Sequence, residues 1–399
     1  MVQNGHLQHL SAASIADRTI TAIRGVIGDR PRVSLHEPSF IGREWQYLKE
    51  CLDSGWVSTA GEQIGAFEAA LAAITGARHA IAVVNGTAAL HLCLIAAGVR
   101  RDDEVIVPAL TFIGTANAVA YCGAVPHFAD SDEGTLGLAA EPLRQHLRES
   151  TQPGPDGLRN RATGRRIRAV VPMHTFGHPV DLDGLRAVAE EFGLVMIEDA
   201  AEALGSLYKG RHVGAHGLLS ALSFNGNKIV TTGGGGAVLC NDDQLAERVR
   251  HLSTTARLPR GWNFVHDEVG YNYRMPNLNA ALGRAQLESL PGFIAAKRAL
   301  AARYAQAFAG VPGLRFVKEP PGCESIYWLN AILLDRDVAS QRNDVLEATN
   351  QAGIATRPVW TLMHRLAPFK DCPRMELPVA ESIEARLINL PSSAFLAAS

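Results

Sequence analysis

Large net charge of either sign is missing from this sequence. Its 399 residues carry 38 Lys and Arg against 40 Asp and Glu, a formal charge of -2. Nothing in bulk therefore draws the chain to nucleic acid or to an anionic membrane, and neither partner is expected. Long apolar runs are missing too, with none near the ~18 residues of a membrane span. The opening "MVQNGHLQHLSAASIADRTITAIRGVIGDR" lacks the charged start and continuous apolar core of a secretory signal. Cys51, Cys93, Cys122, Cys240, Cys323 and Cys372 form no C-x-x-C pair, and no His cluster stands at zinc spacing, so no metal is expected. Several, such as Cys93 in "LHLCLIAAG", read as small buried hydrophobes, and a reduced cytoplasmic setting is the expectation. No G-x-G-x-x-G follows the first strand, because "VVNGTAAL" is not that fingerprint; a Rossmann oxidoreductase is disfavoured.

What is present is ordinary globular composition, 47% hydrophobic and 20% charged, on a chain long enough for a large domain and a smaller one. From about Arg78 to Leu239 short apolar runs alternate with helix-length amphipathic stretches. "HAIAVV", "DEVIVP", "AVPHFAD", "IRAVVPMH", "LVMIEDA", "ALSFN" and "GGAVLC" read as buried strands. That alternation predicts a largely parallel sheet covered on both faces, with ligands at the carboxyl ends of its strands. Asn85, Thr111, His174, Asp199 and Ser223 fall at those ends. The Arg-rich "TQPGPDGLRNRATGRRIR" reads as a solvated connector. Later, "PGFIAAKRALAARYAQAFAG" reads as a long helix, "YWLNAILL" as a strand and "RNDVLEATNQAG" as a helix closed by glycine. The organisation expected is an N-terminal helical segment over 1–35, a large domain over 36–275 and a small α/β domain over 276–399.

Three stretches carry candidate chemistry. "VVNGTAALHLCLIAAG" is a strand, a tight Asn-Gly turn and a very apolar helix. The N–H groups of Thr87 and Ala88 would face whatever lies beyond the strand, as an anion site; plain N-capping by Thr87 would explain the same residues. "LVMIEDAAEALGS" ends an apolar strand in Glu198 and Asp199. A buried carboxylate needs a cation or several donors, and a helix cap or structural ion pair would serve as well. "SFNGNKIVTTGGGG" sets Lys228 among small residues. A desolvated lysine can attack a carbonyl as the neutral amine and form a Schiff base, although most lysines are surface charges. Together the stretches supply an anion site at a helix start, a strand-end carboxylate, then Ser223 and Lys228. That set could hold pyridoxal 5′-phosphate (PLP).

With these residues in view, the chain resembles the nucleotide-sugar aminotransferases of the DegT/DnrJ/EryC1/StrS family. The resemblance runs from "LHEPSFIGREWQYLKECLDSGWVSTAGEQIGAFE" to "LINLPSS", through "NGTAALHL", "TFIGTANAVAYCGAVPHFAD", "MHTFGHPVDLDGL", "IEDAAEALGS", "SFNGNK" and "GYNYRMPNLNAALG". It implies an aspartate-aminotransferase-like, fold-type I large domain with a mostly parallel seven-stranded sheet, plus a smaller C-terminal α/β domain. It implies PLP as cofactor, with pyridoxamine 5′-phosphate as its intermediate form. Lys228 matches the Schiff-base lysine and Asp199 the carboxylate on the pyridine nitrogen. Gly86, Thr87, Ala88 and Ser223 match the phosphate site. Phe112 matches the aromatic stacked on the ring, though a core phenylalanine is the plainer alternative. Asn272 matches an asparagine that reaches the cofactor phosphate of a neighbouring subunit, which implies a homodimer or higher oligomer with shared active sites. Arg274, beside it, is a candidate for the anionic substrate or for an ion pair. Trp56 and His364 are substrate candidates on loops, as are His36, Glu37, Arg257 and Tyr327.

Departures are also visible. Glu202, by the resemblance a cofactor-binding residue close to the ring hydroxyl, stands where many of the family have His or Gln, and Gly234 where many have Glu. The sequence stops soon after "LPSSAFLAAS", where many continue with a final helix; a looser small domain is the expected consequence. The opening "LHEPSF…GWVSTAG" with "SFNGNK" is most like the bacillosamine- and legionaminic-acid-type branch. That implies transfer from L-glutamate to the C4 ketone of UDP-linked 4-keto-6-deoxy-N-acetylglucosamine, for surface-glycan amino sugars. GDP- or dTDP-linked keto sugars are the alternatives, as is a non-catalytic ligand-binding relative. A pyridoxamine-dependent dehydratase is disfavoured because relatives of that type replace the lysine with histidine. An idle relative would be expected to lose Asp199 or Lys228.

Overall fold

The computed structural model describes residues 14–259 and 262–398. Seven strands make the central sheet: β1 His79–Val83, β2 Glu104–Pro108, β3 Val125–Ala129, β4 Ile167–Val170, β5 Val195–Asp199, β6 Leu219–Ser223 and β7 Gly236–Cys240. Their spatial order is β1-β7-β6-β5-β4-β2-β3. Only β7 runs antiparallel to its neighbours; β6, β5, β4, β2 and β3 are mutually parallel. Each strand is nearly all apolar because helices cover both faces of the sheet, as the continuous runs in the sequence predict. The helix Gly86–Ala96 is buried on almost every side for the same reason, packed between the sheet and the helix Ile113–Tyr121.

The Arg-rich connector is a structured hairpin. Thr151–Gly154 pairs antiparallel with Gly157–Asn160. Two of the connector's arginines form ion pairs: Arg159 pairs with Asp156, and Arg166 forks onto Asp103. Turn residues flanked by polar alternation hid a hairpin that has no apolar face of its own.

The C-terminal sheet consists of β8 Leu314–Phe316, β9 Asn330–Leu334, β10 Arg357–Pro358 and β11 Leu387–Leu390, in the order β8-β9-β11-β10. The long helix starts well before the proline expected to open it, running Asn277–Ala307 with Pro291 inside. At 1.5 Å per residue it spans about 46 Å. Its first half contributes Leu287, Leu290 and Phe293 to the core around the large sheet, and its second half gives Leu300, Ala301 and Tyr304 to the core of the small sheet. Apolar contacts on both sides hold the helix through a residue that removes one of its backbone bonds. The helix Ile15–Ile27, opened by a Ser14/Asp17 capping box, buries Ile15, Ile23 and Ile27 in that second core. Leu396, close to the end of the chain, is fully buried in the same place. Among the described residues no helix is long and apolar enough to cross a membrane.

Candidate active site

The carboxyl ends of β1, β5 and β6 open onto a cavity of about 250 Å³ that gathers Thr87, Phe112, Asp199, Glu202, Ser223 and Lys228. At the first of these ends the Asn85 side chain caps the helix Gly86–Ala96, its Oδ1 accepting the Ala88 N–H at 2.8 Å. The cap is thus Asn85, not Thr87, and the Ala88 donor expected to face an anion is already engaged. The N–H groups of Gly86 and Thr87, which a helix cannot satisfy internally, are the ones that suit an oxyanion. Glycine is required at 86 by close packing: a Cβ there would lie 2.8 Å from the Ser223 Cβ and 3.2 Å from its Oγ. Ser223, at the end of β6, is thereby pressed against the turn.

The two carboxylates of "IED" part company because successive strand residues point to opposite faces. Glu198 turns away from the cavity and accepts N–H bonds from Gly214, His216 and Gly217 at 2.6–2.7 Å, and a 3.1 Å contact from His174 Nε2. Burial pushes its pKa up, but the His174 hydrogen bond and charge with those N–H donors outweigh it and bring it to about 2. It is a structural anchor. Asp199 faces the cavity, its Oδ2 accepting the Thr115 hydroxyl at 2.7 Å and its Oδ1 the Ala201 N–H at 3.1 Å. Here burial prevails over the Thr115 bond, the Ala201 N–H and the charge of Lys228, and the carboxyl is raised.

Lys228 Nζ lies 3.2 Å from Glu202 Oε1 and 3.8 Å above the centre of the Trp328 ring. Glu202 is buried, with Oε2 accepting the Phe176 N–H at 2.9 Å. Burial lifts its pKa to about 7, against the opposing pull of the Lys228 charge and the Phe176 bond. Phe112 is half exposed at the cavity mouth and meets Trp360 edge-on at 6.4 Å. A Cβ at Gly234 would meet nothing within 4 Å, so the wall there has room for the larger side chain common in the family.

Other expected residues lie elsewhere. Asn272 and Arg274 line a second concavity with Thr59, Thr255 and Arg257, apart from Lys228 within one chain. Trp56 has an exposed indole on another loop, where its carbonyl accepts from the Asn277 side chain at 2.7 Å. His364 lies in a different hollow with Cys372, Arg374 and Glu381, its Nε2 3.6 Å from Glu381. The segment "VWTLMH" does reach the cavity, but through Trp360. Trp56 and His364 therefore do not line this cavity within one chain. Tyr327 is buried, its hydroxyl accepting the Glu319 N–H; the neighbouring Trp328 faces Lys228 instead. Thr115, Trp328 and Trp360 are cavity residues that sequence reasoning missed. Thr115 stands one helical turn after Thr111 and hydrogen-bonds it at 2.8 Å, a spacing visible in "TFIGT". The two tryptophans carried no comparable signal, lying in or beside apolar runs.

Residues 39–398 match the model of the DegT/DnrJ/EryC1/StrS aminotransferase family. The chain belongs to that family. It is 38% identical over 374 residues to the GDP-perosamine synthase of Caulobacter vibrioides, covering 93% of this chain and 95% of the relative. With the GDP-perosamine synthase of Vibrio cholerae it shares 37% over 361 residues, 90% and 94% of the two chains. The solved structure of DesI in the presence of its TDP-sugar product superposes with a TM-score of 0.81 at 31% identity, over 95% of this chain and 92% of that one.

As a DegT-family member the protein is a PLP-dependent nucleotide-sugar aminotransferase with the fold-type I architecture. The cavity suits that cofactor. Asp199 is a buried carboxylate that its two neutral donors do not fully compensate, a setting matched by the N–H of a protonated pyridine. Gly86, Thr87 and Ser223 form a tight polar cradle, with a backbone too close to admit a Cβ at 86. Lys228, 12% exposed, supplies an amine at the wall.

Proposed function

We propose that this aminotransferase moves an amino group from L-glutamate to the C4 ketone of a GDP-linked 4-keto-6-deoxy sugar. The observation that carries the transfer chemistry is the meeting of Lys228, Asp199 and the Gly86–Thr87 turn in one cavity. The GDP-perosamine synthases, similar over nine-tenths of the chain, support GDP as the nucleotide in place of the UDP-linked sugar expected from the opening segment. A dTDP-linked sugar is the second reading, supported by the likeness to DesI with its TDP-sugar product.

Thr87 and Ser223, with the Gly86 and Thr87 N–H groups, would hold the PLP phosphate. Phe112 would cover the ring, Asp199 would keep a proton on the ring nitrogen, and Lys228 would carry the aldehyde. When bound, PLP supplies an electron sink for the charge left at a deprotonated carbon. Lys228 Nζ takes the proton from Cα of glutamate and later delivers one to C4 of the sugar. Glu202 and the face of Trp328 keep that amine aimed into the cavity between the two transfers. The ring faces of Phe112 and Trp360 exclude water from the mouth. We further propose a homodimer in which Asn272, and with it Arg274, serves the partner's cavity.

Absorbance of the PLP-loaded protein before and after glutamate tests the first half-reaction. The expected result is a shift of the cofactor band in the wild type. In Lys228→Ala, borohydride should fix no cofactor to the protein and turnover should fall by at least 10²–10⁴-fold. GDP-, dTDP- and UDP-linked 4-keto-6-deoxy sugars, offered in parallel with product mass as readout, decide the nucleotide. An unchanged band with glutamate would reject glutamate as the amino donor, and an unchanged band with every amino acid offered would reject the transaminase reading of this site.

A further inference from the structure

Behind the cavity lies a second lysine that the reaction does not use. Lys297, on the long helix, is fully buried. Its Nζ donates to the Trp328 carbonyl at 3.1 Å and to the Ser392 carbonyl at 2.5 Å. Burial alone lowers its pKa to about 7. Removing an ammonium from water with only carbonyl partners is costly, and an apolar residue would fill the same space. What the lysine supplies is donors for two carbonyls where the ladder of the small sheet ends, next to Asn330 and beyond Leu390.

One of those carbonyls belongs to the residue under Lys228. Trp328 is anchored at both ends, since its indole Nε1–H donates to the Asn227 carbonyl at 2.7 Å while its own carbonyl receives Lys297. Between the anchors the ring face lies 3.8 Å from Lys228 Nζ. The chain reaches this pose through Tyr327, which has a left-handed φ of 47°, a strained conformation for an aromatic residue. The residues on either side of Tyr327 pack on the Phe176–Gly177 turn, where a Cβ on Gly177 would lie 2.8 Å from Ile326 and 3.2 Å from the Trp328 nitrogen. The His36 ring lies 6.5 Å from that of Trp328, and its Nδ1 is buried without a partner among the described residues. His36, Lys297 and Ile229 line a cavity of about 10 Å³, the size of one water molecule.

We propose that Lys297 is a positioning residue for the transamination: by holding the Trp328 carbonyl it sets the indole face against the Lys228 amine. The inference rests on Lys228 being the cofactor lysine. Lys297 touches neither substrate nor cofactor and acts only through Trp328.

A double-mutant cycle tests this. Cofactor-free wild type, Lys297→Met, Trp328→Phe and the double variant are mixed with PLP. Attachment to Lys228 is trapped with borohydride at timed intervals and read by peptide mass. Lys297→Met should change the rate of capture by about tenfold in the same direction as Trp328→Phe, the scale of a partly buried cation–π contact, and adding it to Trp328→Phe should change the rate no further. Trp328 emission, isolated by subtracting the spectrum of each Trp328→Phe counterpart, should shift to the red in Lys297→Met. Independent, multiplicative effects on capture, or a folded Lys297→Met with wild-type capture and emission, would overturn the proposal. If Lys297→Met does not fold, Lys297→Gln is read by the same two criteria. Wild-type protein that captures no PLP would sink the cofactor assignment of Lys228 itself, an outcome separate from additivity in the cycle.

Discussion

At the scale of single residues, burial decides what each titratable group in the cavity can do. Glu202 and Glu198 are both buried carboxylates, yet their pKa values are about 7 and about 2. The difference lies in donors: Glu198 collects backbone N–H groups and His174, whereas Glu202 has the Phe176 N–H and Lys228. The raised value of Glu202 has a signed consequence. Between about pH 4.5 and 7 the folded protein holds a proton that the unfolded chain has lost, so this group's contribution to stability falls as pH rises through that window. In Glu202→Gln that slope should vanish. Urea midpoints of the cofactor-free proteins at pH 5 and 7.5 measure it, with a difference of order 2–3 kcal/mol between wild type and variant across the window. A midpoint difference independent of pH would contradict the assignment.

At the scale of elements, the cavity is assembled from strand ends and helix starts. Asp199 ends β5, and Thr115 lies in the first turn of the helix Ile113–Tyr121 that reaches over to it. Thr115→Val keeps the shape but leaves the Asp199 carboxylate with the Ala201 N–H as its remaining donor from the protein backbone and side chains described. Asp199 should then titrate higher still, and PLP affinity should weaken by about 1–3 kcal/mol. A fluorescence titration of cofactor-free protein with PLP, repeated across pH, checks this; unchanged affinity at every pH would refute it. Much of the element pattern was legible beforehand. Seven apolar runs became the seven sheet strands, because a strand buried on both faces is predominantly apolar, its buried polar residues such as Glu104 and Glu198 being met by hydrogen-bond partners. The hairpin at 151–160 was not, since it is tied to the sheet by single contacts, Leu158 on the core and the buried Asn160–Glu104 hydrogen bond, that leave no apolar periodicity. The start of the long helix was obscured because Pro291 marks a boundary in most sequences but not where packing on two cores overrides it.

At the scale of the whole molecule, Asn272 and Arg274 are separated from Lys228 within one chain but lie in a concavity of their own. Exposed Trp45, Trp56, Trp262 and Phe264 are large apolar side chains of the kind that subunit contacts bury. If the active sites are shared, inactive Lys228→Ala and inactive Asn272→Ala chains will complement each other when co-expressed. A random mixture should recover about a quarter of wild-type turnover, because half the dimers are mixed and each mixed dimer has one intact site. No recovery in a mixture shown by mass to contain mixed dimers would place each site within a single chain.

The sequence by itself determined the fold class, the family and the order of the residues that gather at the cavity. The α/β class follows from local pattern, namely apolar runs, a turn before a helix and a carboxylate at a strand end, whereas the family follows from the resemblance of whole motifs such as "NGTAALHL", "IEDAAEALGS" and "SFNGNK". Only the tertiary structure decided which neighbours serve. It took the Ala88 donor for Asn85, sent Glu198 to a structural role beside Asp199, and put Trp328 and Trp360 at the cavity while leaving Trp56 and His364 outside it. Side-chain direction and burial depend on contacts between segments far apart in the chain, and no periodicity along the sequence encodes them.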